Sequence, residues 1–274
     1  MPEDLLRVMS FNVRQMDGDD GPNDWNHRKD LLVETVRMYR PDLLGTQEIF
    51  LEQAAYIRNS IPSYEWFGSG RFGDGRDKHN LIFFDSRRFS LLESGDRWFS
   101  LTPEVPGSSA WGIPRPRLVT WGRLQQAGGP EILILNTHMP YGREAGEARR
   151  ESAAIILQTI TQLPIDLPLF LTGDFNSPAN GEIYDMFVAC LADAWKTAAC
   201  TIGPEGTLNG FGKFSARAAG RRIDWILHRN AGHAIEAETI THSLNGRYPS
   251  DHFPVVASFR RAGSQVSSAP RSGA

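Results

Sequence analysis

The stretch Leu169-Phe170-Leu171-Thr172-Gly173-Asp174-Phe175-Asn176-Ser177-Pro178 decides how the chain is read. Leu169 to Leu171 mark a buried strand that stops abruptly. Gly173 permits a turn, and Pro178 cannot donate to a continued ladder. Asp174 and Asn176 lie two apart, and on extended backbone positions i and i+2 project to the same side. The spacing therefore predicts a carboxylate and a carboxamide standing together at a strand mouth. One can take a proton while the other holds an anionic oxygen, which suits water activation beside a phosphate. A strand-end turn with both side chains capping backbone groups has the same local pattern, so the chain on either side must discriminate.

Working outward, apolar runs predict strands at Leu5–Val13, Asp42–Glu48, Tyr64–Gly68, Asn80–Phe84, Phe89–Phe99, Arg117–Gln125, Glu131–His138, Arg222–His228, Ala234–His242 and Val255–Arg260. Helical spacing predicts Trp25–Tyr39, Leu51–Asn59, Arg143–Gln162 and Gly181–Cys190. Long apolar strands with helices between them predict an α/β fold: a four-layer α/β/β/α sandwich, two mostly antiparallel sheets face to face with helices outside. The first strand–helix turn has no glycine fingerprint, which argues against a doubly wound nucleotide fold. Pro103 to Pro116, carrying Trp111, predicts an ordered surface loop near a site.

The 274 residues are 41% hydrophobic and show no internal linker, so one domain is expected over residues 1–261. The tail, 262–274, is rich in Ser, Gly, Ala and Pro and is expected to be disordered. Net charge is -3 with a pI near 6.2, less basic than a protein relying on a non-specific grip on nucleic acid. Two cysteines, Cys190 and Cys200, exclude a disulfide framework and read as small apolar residues near a helix end. No signal-peptide pattern precedes the first strand, and no run approaches the roughly 18 apolar residues of a membrane span. A cytoplasmic protein without a membrane span is expected, and no protein partner is evident.

Polar residues recur where the predicted strands end: Asn12, Glu48, Asn136 with His138, Asp174 with Asn176, Asp224, and Asp251 with His252. Each alone has a structural explanation, such as a cap, a surface ion pair or a core histidine. Together they place acid, base and amide groups at one end of a layered fold. The ordered set Ser-Phe-Asn-Val, Gly-Thr-Gln-Glu, Asn-Thr-His, Gly-Asp-Phe-Asn-Ser, Arg-Ile-Asp-Trp and Pro-Ser-Asp-His resembles the endonuclease/exonuclease/phosphatase superfamily, the deoxyribonuclease-I-like metal-dependent phosphoesterases. The resemblance runs from about Leu5 to Phe259. Gly206 to Phe211 and Tyr248 to His252 are similar to the bacterial group related to carbon-catabolite-repressor-type deadenylases.

That resemblance implies a Mg2+ or Mn2+ site with Glu48 as main ligand and Asn12 and Asp251 beside it. It implies Asp174 orienting or deprotonating the attacking water, Asn176 holding the phosphate, His252 stabilising charge, Asp224 orienting a histidine, and His138 touching the phosphate or leaving oxygen. Asn136, Arg117 and Tyr141 are candidates for substrate contact. Where deadenylase-like relatives continue Leu-Asp-His after Asn-Thr-His, this chain has Met139-Pro140-Tyr141, a departure that bears on substrate rather than on chemistry. Lys78 is given no metal or substrate role, and Arg217, Arg221 and Arg222 read as a solvated basic face. The expected reaction is phosphodiester hydrolysis by water, with single-stranded nucleic acid or a nucleotide as substrate. Phosphoesters of sugars, inositol or lipid headgroups are the alternative, and a non-catalytic binding module a more distant one.

Overall fold

A computed structural model describes residues 5–214 and 222–260. Its elements in order are β1 (Leu5–Asn12), α1 (Trp25–Tyr39), β2 (Leu43–Gln47), α2 (Leu51–Ser60), β3 (Tyr64–Phe67), β4 (Ile82–Asp85), β5 (Phe89–Trp98), β6 (Leu118–Gln126), β7 (Glu131–His138), α3 (Gly146–Gln162), β8 (Leu169–Asp174), α4 (Glu182–Val188), β9 (Ala192–Asp193), α5 (Ala194–Thr197), β10 (Cys200–Ile202), β11 (Asp224–Arg229), β12 (Ala234–Thr239) and β13 (Val255–Arg260). One sheet runs β10-β12-β13-β1-β2-β4-β3 and the other β5-β6-β7-β8-β11-β9. Both are mixed: β1 with β2, β7 with β8 and β10 with β12 pair parallel, and the other ladders are antiparallel. Helices α1 and α2 cover the first sheet and α3 and α4 the second. No helix among the described residues is long and apolar enough to cross a membrane.

Side-chain alternation turns this layering into a site. On β1, Leu6 and Val8 enter the core between the sheets, whereas Met9 and Phe11 enter the core under α1 and α2. On β7, Ile132 and Ile134 point inward and Leu133 and Leu135 outward. Strand β8 does the same with Phe170 against Leu169 and Leu171. A period of two therefore carries the inward rows forward to Ser10 and Asn12, to Asn136 and His138, and to Thr172 and Asp174. The ladder registers align these rows: Ser10 with Gly45, Asn136 with Thr172, His138 with Asp174, and Asp174 with Asp224. Toward the strand exits, the inter-sheet space thus passes from apolar to polar and then to acid and histidine.

The polar row joins the two sheets. Asn136 Oδ1 accepts from Gln47 Nε2 at 2.7 Å and Thr172 Oγ1 at 3.1 Å, and its Nδ2 donates to the carbonyls of Thr46 at 2.7 Å and Leu81 at 3.1 Å. Gln47 Nε2 also donates to Ser10 Oγ at 3.1 Å. All of these side chains are fully buried. The expectation that Asn136 contacts substrate is therefore corrected: its donors and its acceptor are already used between the sheets, because it lies one row below the strand mouth.

Other expectations also change. Strand β8 stops at Asp174, and Asn176 turns back with φ +48, so extended-strand alternation does not pair the two. The β9, α5 and β10 elements of residues 192–202 were not anticipated; at two to four residues each they are too short for a period to show. Cys190 and Cys200 are free and exposed rather than packed. Arg222 is buried and ion-paired to Asp193 at 2.5 Å rather than solvated. Arg217, Arg221 and the 262–274 tail lie outside the described residues.

Gly45 marks a close approach of the sheets. A Cβ there would collide with Thr172 Oγ1 and come within 2.7 Å of Asn136 Oδ1. Gly45→Ala is expected to wedge the polar row apart and cost about 1–3 kcal/mol in a urea unfolding titration. A midpoint equal to wild type would show that the sheets are not held at this row.

Candidate active site

Asp174 sits where the two sheets meet at their open end, and it is 2% exposed. Its Oδ2 accepts from Asn12 Nδ2 of the opposite sheet at 3.0 Å and lies 3.3 Å from His138 Nε2. Its Oδ1 accepts the backbone N–H of Asn176 at 3.0 Å, so Asn176 approaches through a local turn. The Asn176 Nδ2 donates to the Met139 carbonyl at 3.0 Å, leaving its second N–H for another acceptor. Asp224, directly across the ladder, bonds His252 Nδ1 through Oδ2 at 2.9 Å. His252 Nε2 then stands 3.9 Å from Asp174.

This packing sets the protonation. Burial and the neighbouring Asp224 push Asp174 up to about 7. Burial lowers His252, but Asp224 and Asp174 outweigh it and raise the group well above the usual histidine value. His138 goes the other way, driven well below its ordinary value by burial and by Arg117 and Arg71, so it is neutral. One imidazolium and one neutral imidazole therefore flank the same carboxylate.

Glu48 follows β2 directly. Its backbone takes φ +61, a left-handed conformation rarely adopted by a side chain of this size. Arg14 after β1 and Asn176 after β8 use the same region, with φ +55 and +48. Three strand exits thus turn sharply instead of continuing their ladders. Burial disfavours the Glu48 charge, yet Lys78, Arg117, His252 and Arg14 more than compensate and hold it down to about 2. Lys78 Nζ is 3.4 Å from Glu48 Oε2, and the Gln15 N–H is also 3.4 Å away. Burial lowers Arg117 to about 9, and it lowers Arg71 and Lys78 as well. Arg117 Nη1 is buried with no hydrogen-bond partner among the described residues.

Asn12, Glu48, His138, Asp174, Asn176, Asp224 and His252 are thereby brought to one place. Asp251 stands at its edge, 3.7 Å from Arg14 Nη1. Tyr141 is 78% exposed and lines a cavity with Trp111 and Arg117 rather than packing against α3. The sequence reading missed Lys78 and Arg71. Both come from a Gly-rich charged loop without periodicity, and only the bridges of His79 to Ile49 and to Gly70 fold that loop over Glu48. It also left the 206–211 stretch without a task. Thr207 Oγ1 accepts the backbone N–H of Ile223 at 3.1 Å and of Asp224 at 3.2 Å, while Asn209 and Gly210 donate to the Asp251 carbonyl at 2.8 Å each. That stretch holds the acid and its histidine in place.

The donor set suits a hard divalent cation. Glu48 is ionised, mostly buried and held only through two 3.4 Å contacts at Oε2, a loose grip for a carboxylate. Oxygen ligands of this type match Mg2+ or Mn2+. Asp174, Asp224 and His252 also bring possible ligand atoms within 4.8 Å of one another and could hold an ion. There, however, the His252 Nδ1 and both Asp174 oxygens already have partners.

Comparison with known proteins agrees with the geometry. A mannosyl-6-phosphatase of Bacteroides thetaiotaomicron superposes with a TM-score of 0.84 at 33% identity, covering 92% of this chain and 98% of that one. Zebrafish (D. rerio) TDP2 complexed with a single-strand DNA product superposes with a TM-score of 0.73 at 21% identity, covering 94% and 100%, a likeness of fold. Nocturnin of Drosophila melanogaster is 22% identical across 86% of this chain and 42% of its own length. The chain spans less than two thirds of the length of such curated relatives. Residues 9–252 match the model of the Endonuclease/Exonuclease/phosphatase family, and the chain belongs to that family.

Proposed function

We propose that this chain hydrolyses a phosphoester with the help of Mg2+ or Mn2+, water attacking phosphorus directly. The observation that carries the reading is Asp174, a buried carboxylate between a neutral His138 and a protonated His252, beside a group of cations around Glu48. Such a carboxylate has the affinity for a proton that a general base needs near neutral pH. Asn12 and His138 fix its direction. The free N–H of Asn176 and the Nε2–H of His252 donate to phosphate oxygens as charge builds. Asp224 keeps His252 protonated and oriented. Arg71, Lys78 and Arg117 complete the anion site. A cation on Glu48, with Asn12 and Asp251 beside it, would supply Lewis-acid stabilisation of phosphate charge.

Two substrate classes have support. The TDP2 complex with a single-strand DNA product favours nucleic acid. The mannosyl-6-phosphatase favours the terminal phosphate of a small molecule. Arg71, Lys78 and Arg117, gathered beside a protonated histidine, match the dianion of a monoester better than the single charge of a diester, so the small-molecule phosphomonoester is placed first here. This reverses the order drawn from the family resemblance, because the cations gathered around Glu48 favour a doubly charged phosphate. A phosphate-release screen with Mg2+ and Mn2+ over hexose phosphates, inositol phosphates, nucleoside monophosphates and single-stranded RNA and DNA tests it. Preferred release from a monoester is expected; cleavage confined to oligonucleotides would reverse the order, and binding without turnover of any ester would leave a binding module.

Asp174→Asn should lower kcat by roughly 10²–10⁴-fold while circular dichroism stays native. Activity near wild type would remove Asp174 from the reaction. Glu48→Gln should raise the cation concentration for half-maximal activity by roughly tenfold or more; an unchanged metal titration would move the cation elsewhere. The pH profile gives an independent check. Activity needs Asp174 ionised, which sets an acid limb, and His252 protonated, which sets an alkaline limb. Asp224 raises both groups. In Asp224→Asn both limbs of kcat/KM should therefore shift to lower pH, and limbs that stay put would show that Asp224 does not tune the pair.

A further inference from the structure

A cavity of 290 Å³ opens beside Arg117. Trp111, Ile113, Pro140 and Tyr141 give it apolar walls, and Glu144 and Arg115 also line it. Arg117 belongs both to this cavity and to the electrostatic surroundings of Glu48 and Asp174. It therefore marks the border between the phosphate site and the space next to it.

Three observations point to a ligand there. First, Arg117 Nη1 is buried without a partner among the described residues, and a buried donor left unmade costs stability until an acceptor arrives. Second, Trp111 is held at φ +51, followed by Gly112 at φ +69. A bulky residue in that region is strained, and such strain persists where surrounding packing imposes it, commonly at ligand clamps. Here the packing is the hydrophobic cluster beneath α3, against which Trp111 rests while it lines the cavity. Third, the wall chemistry is selective. An indole is joined by a phenol, the Glu144 carboxylate and the Arg115 guanidinium, which already faces Asp77 at 3.8 Å, so ring hydroxyl groups find both acceptors and donors. The volume is at the low end for small-molecule pockets, about 300–1,000 Å³, which suits one ring rather than a chain of nucleotides.

We propose that this cavity is the leaving-group subsite and that it takes a polyhydroxylated ring of monosaccharide size, stacked on Trp111, with its ester oxygen on Arg117 Nη1. The inference rests on the phosphoester reading above. Hydrolysis forms a P–O bond from water and breaks the P–O bond to the ring. Asp174 takes the water proton, and the departing alkoxide, held by Arg117, takes a proton from solvent. The products are the free polyol and inorganic phosphate.

The test compares hexose 6-phosphates with methyl phosphate, whose leaving group is too short to reach Trp111. Trp111→Ala should lower the ratio of kcat/KM for hexose 6-phosphate over methyl phosphate by about tenfold or more. Tyr141→Ala, at an exposed position that does not threaten folding, should lower it in the same direction. A ratio unchanged in both variants would overturn the proposal. So would a wild-type enzyme that prefers nucleoside monophosphates or dinucleotides, which would put a base in the cavity. Tryptophan fluorescence with hexose 6-phosphate, the cation withheld, reads binding apart from turnover. Quenching that Trp111→Ala abolishes supports the subsite even if no ester is hydrolysed, in which case the phosphoester reading alone falls. No quenching in the wild type overturns the subsite itself.

Discussion

Asn136 holds the two sheets at one separation, and the chemistry is built one row above it. Its carboxamide bonds Gln47 and the Thr46 and Leu81 carbonyls of one sheet and Thr172 of the other. A buried amide satisfied on both sides resists sliding, because any shift of one sheet leaves polar groups unpaired in a dry core. That constraint fixes the next row, where Asn12 reaches Asp174 across the gap and Asp224 meets His252. The first contact crosses from one sheet to the other and the second reaches from β11 to the turn that leads into β13, so the site depends on this separation. Gly45 permits it by leaving room for the Asn136 and Thr172 side chains.

The charges at the open end are arranged in opposition. Glu48 is ionised because Lys78, Arg117, His252 and Arg14 surround it, whereas Asp174 retains a proton more readily because burial and Asp224 act together. The same fold thus produces one carboxylate suited to a cation and one suited to a proton. The histidines divide similarly: Asp224 keeps His252 charged against its burial, and burial with the field of Arg117 and Arg71 keeps His138 neutral. Burying these groups costs stability, and the surrounding hydrogen bonds offset part of it. Arg28 shows how the frame is held: fully buried, it donates to the carbonyls of Val13 at 2.6 Å, Arg14 at 2.7 Å and Pro249 at 2.9 Å, tying the β1 exit to the turn before His252.

Much of the fold was legible along the chain. Trp25–Tyr39, Glu131–His138 and Val255–Arg260 occupy the residues that periodicity assigns to them. The helix has one apolar face and the two strands are apolar on both, so local pattern and tertiary burial agree. The 192–202 segment was not legible, since β9, α5 and β10 owe their form to the strands they join rather than to a repeat of their own. Within the site, Glu48, Asp174, Asp224 and His252 stood out because each follows or interrupts an apolar run. Lys78 and Arg71 did not, because a charged loop has the same composition whether it faces solvent or folds over a carboxylate.

The sequence by itself determined which strands form, which faces are apolar, and that acid, amide and histidine groups close their ends. Those properties follow from residue type and a period of two. Only the tertiary structure decided which of these groups meet. Alternation places Asn136 and His138 on the same face of the same strand, yet one is a bridge between sheets and the other touches Asp174. The difference is one row of height in the inter-sheet space. Protonation was equally out of reach of the sequence, since Glu48 and Asp174 differ through neighbours drawn from distant parts of the chain.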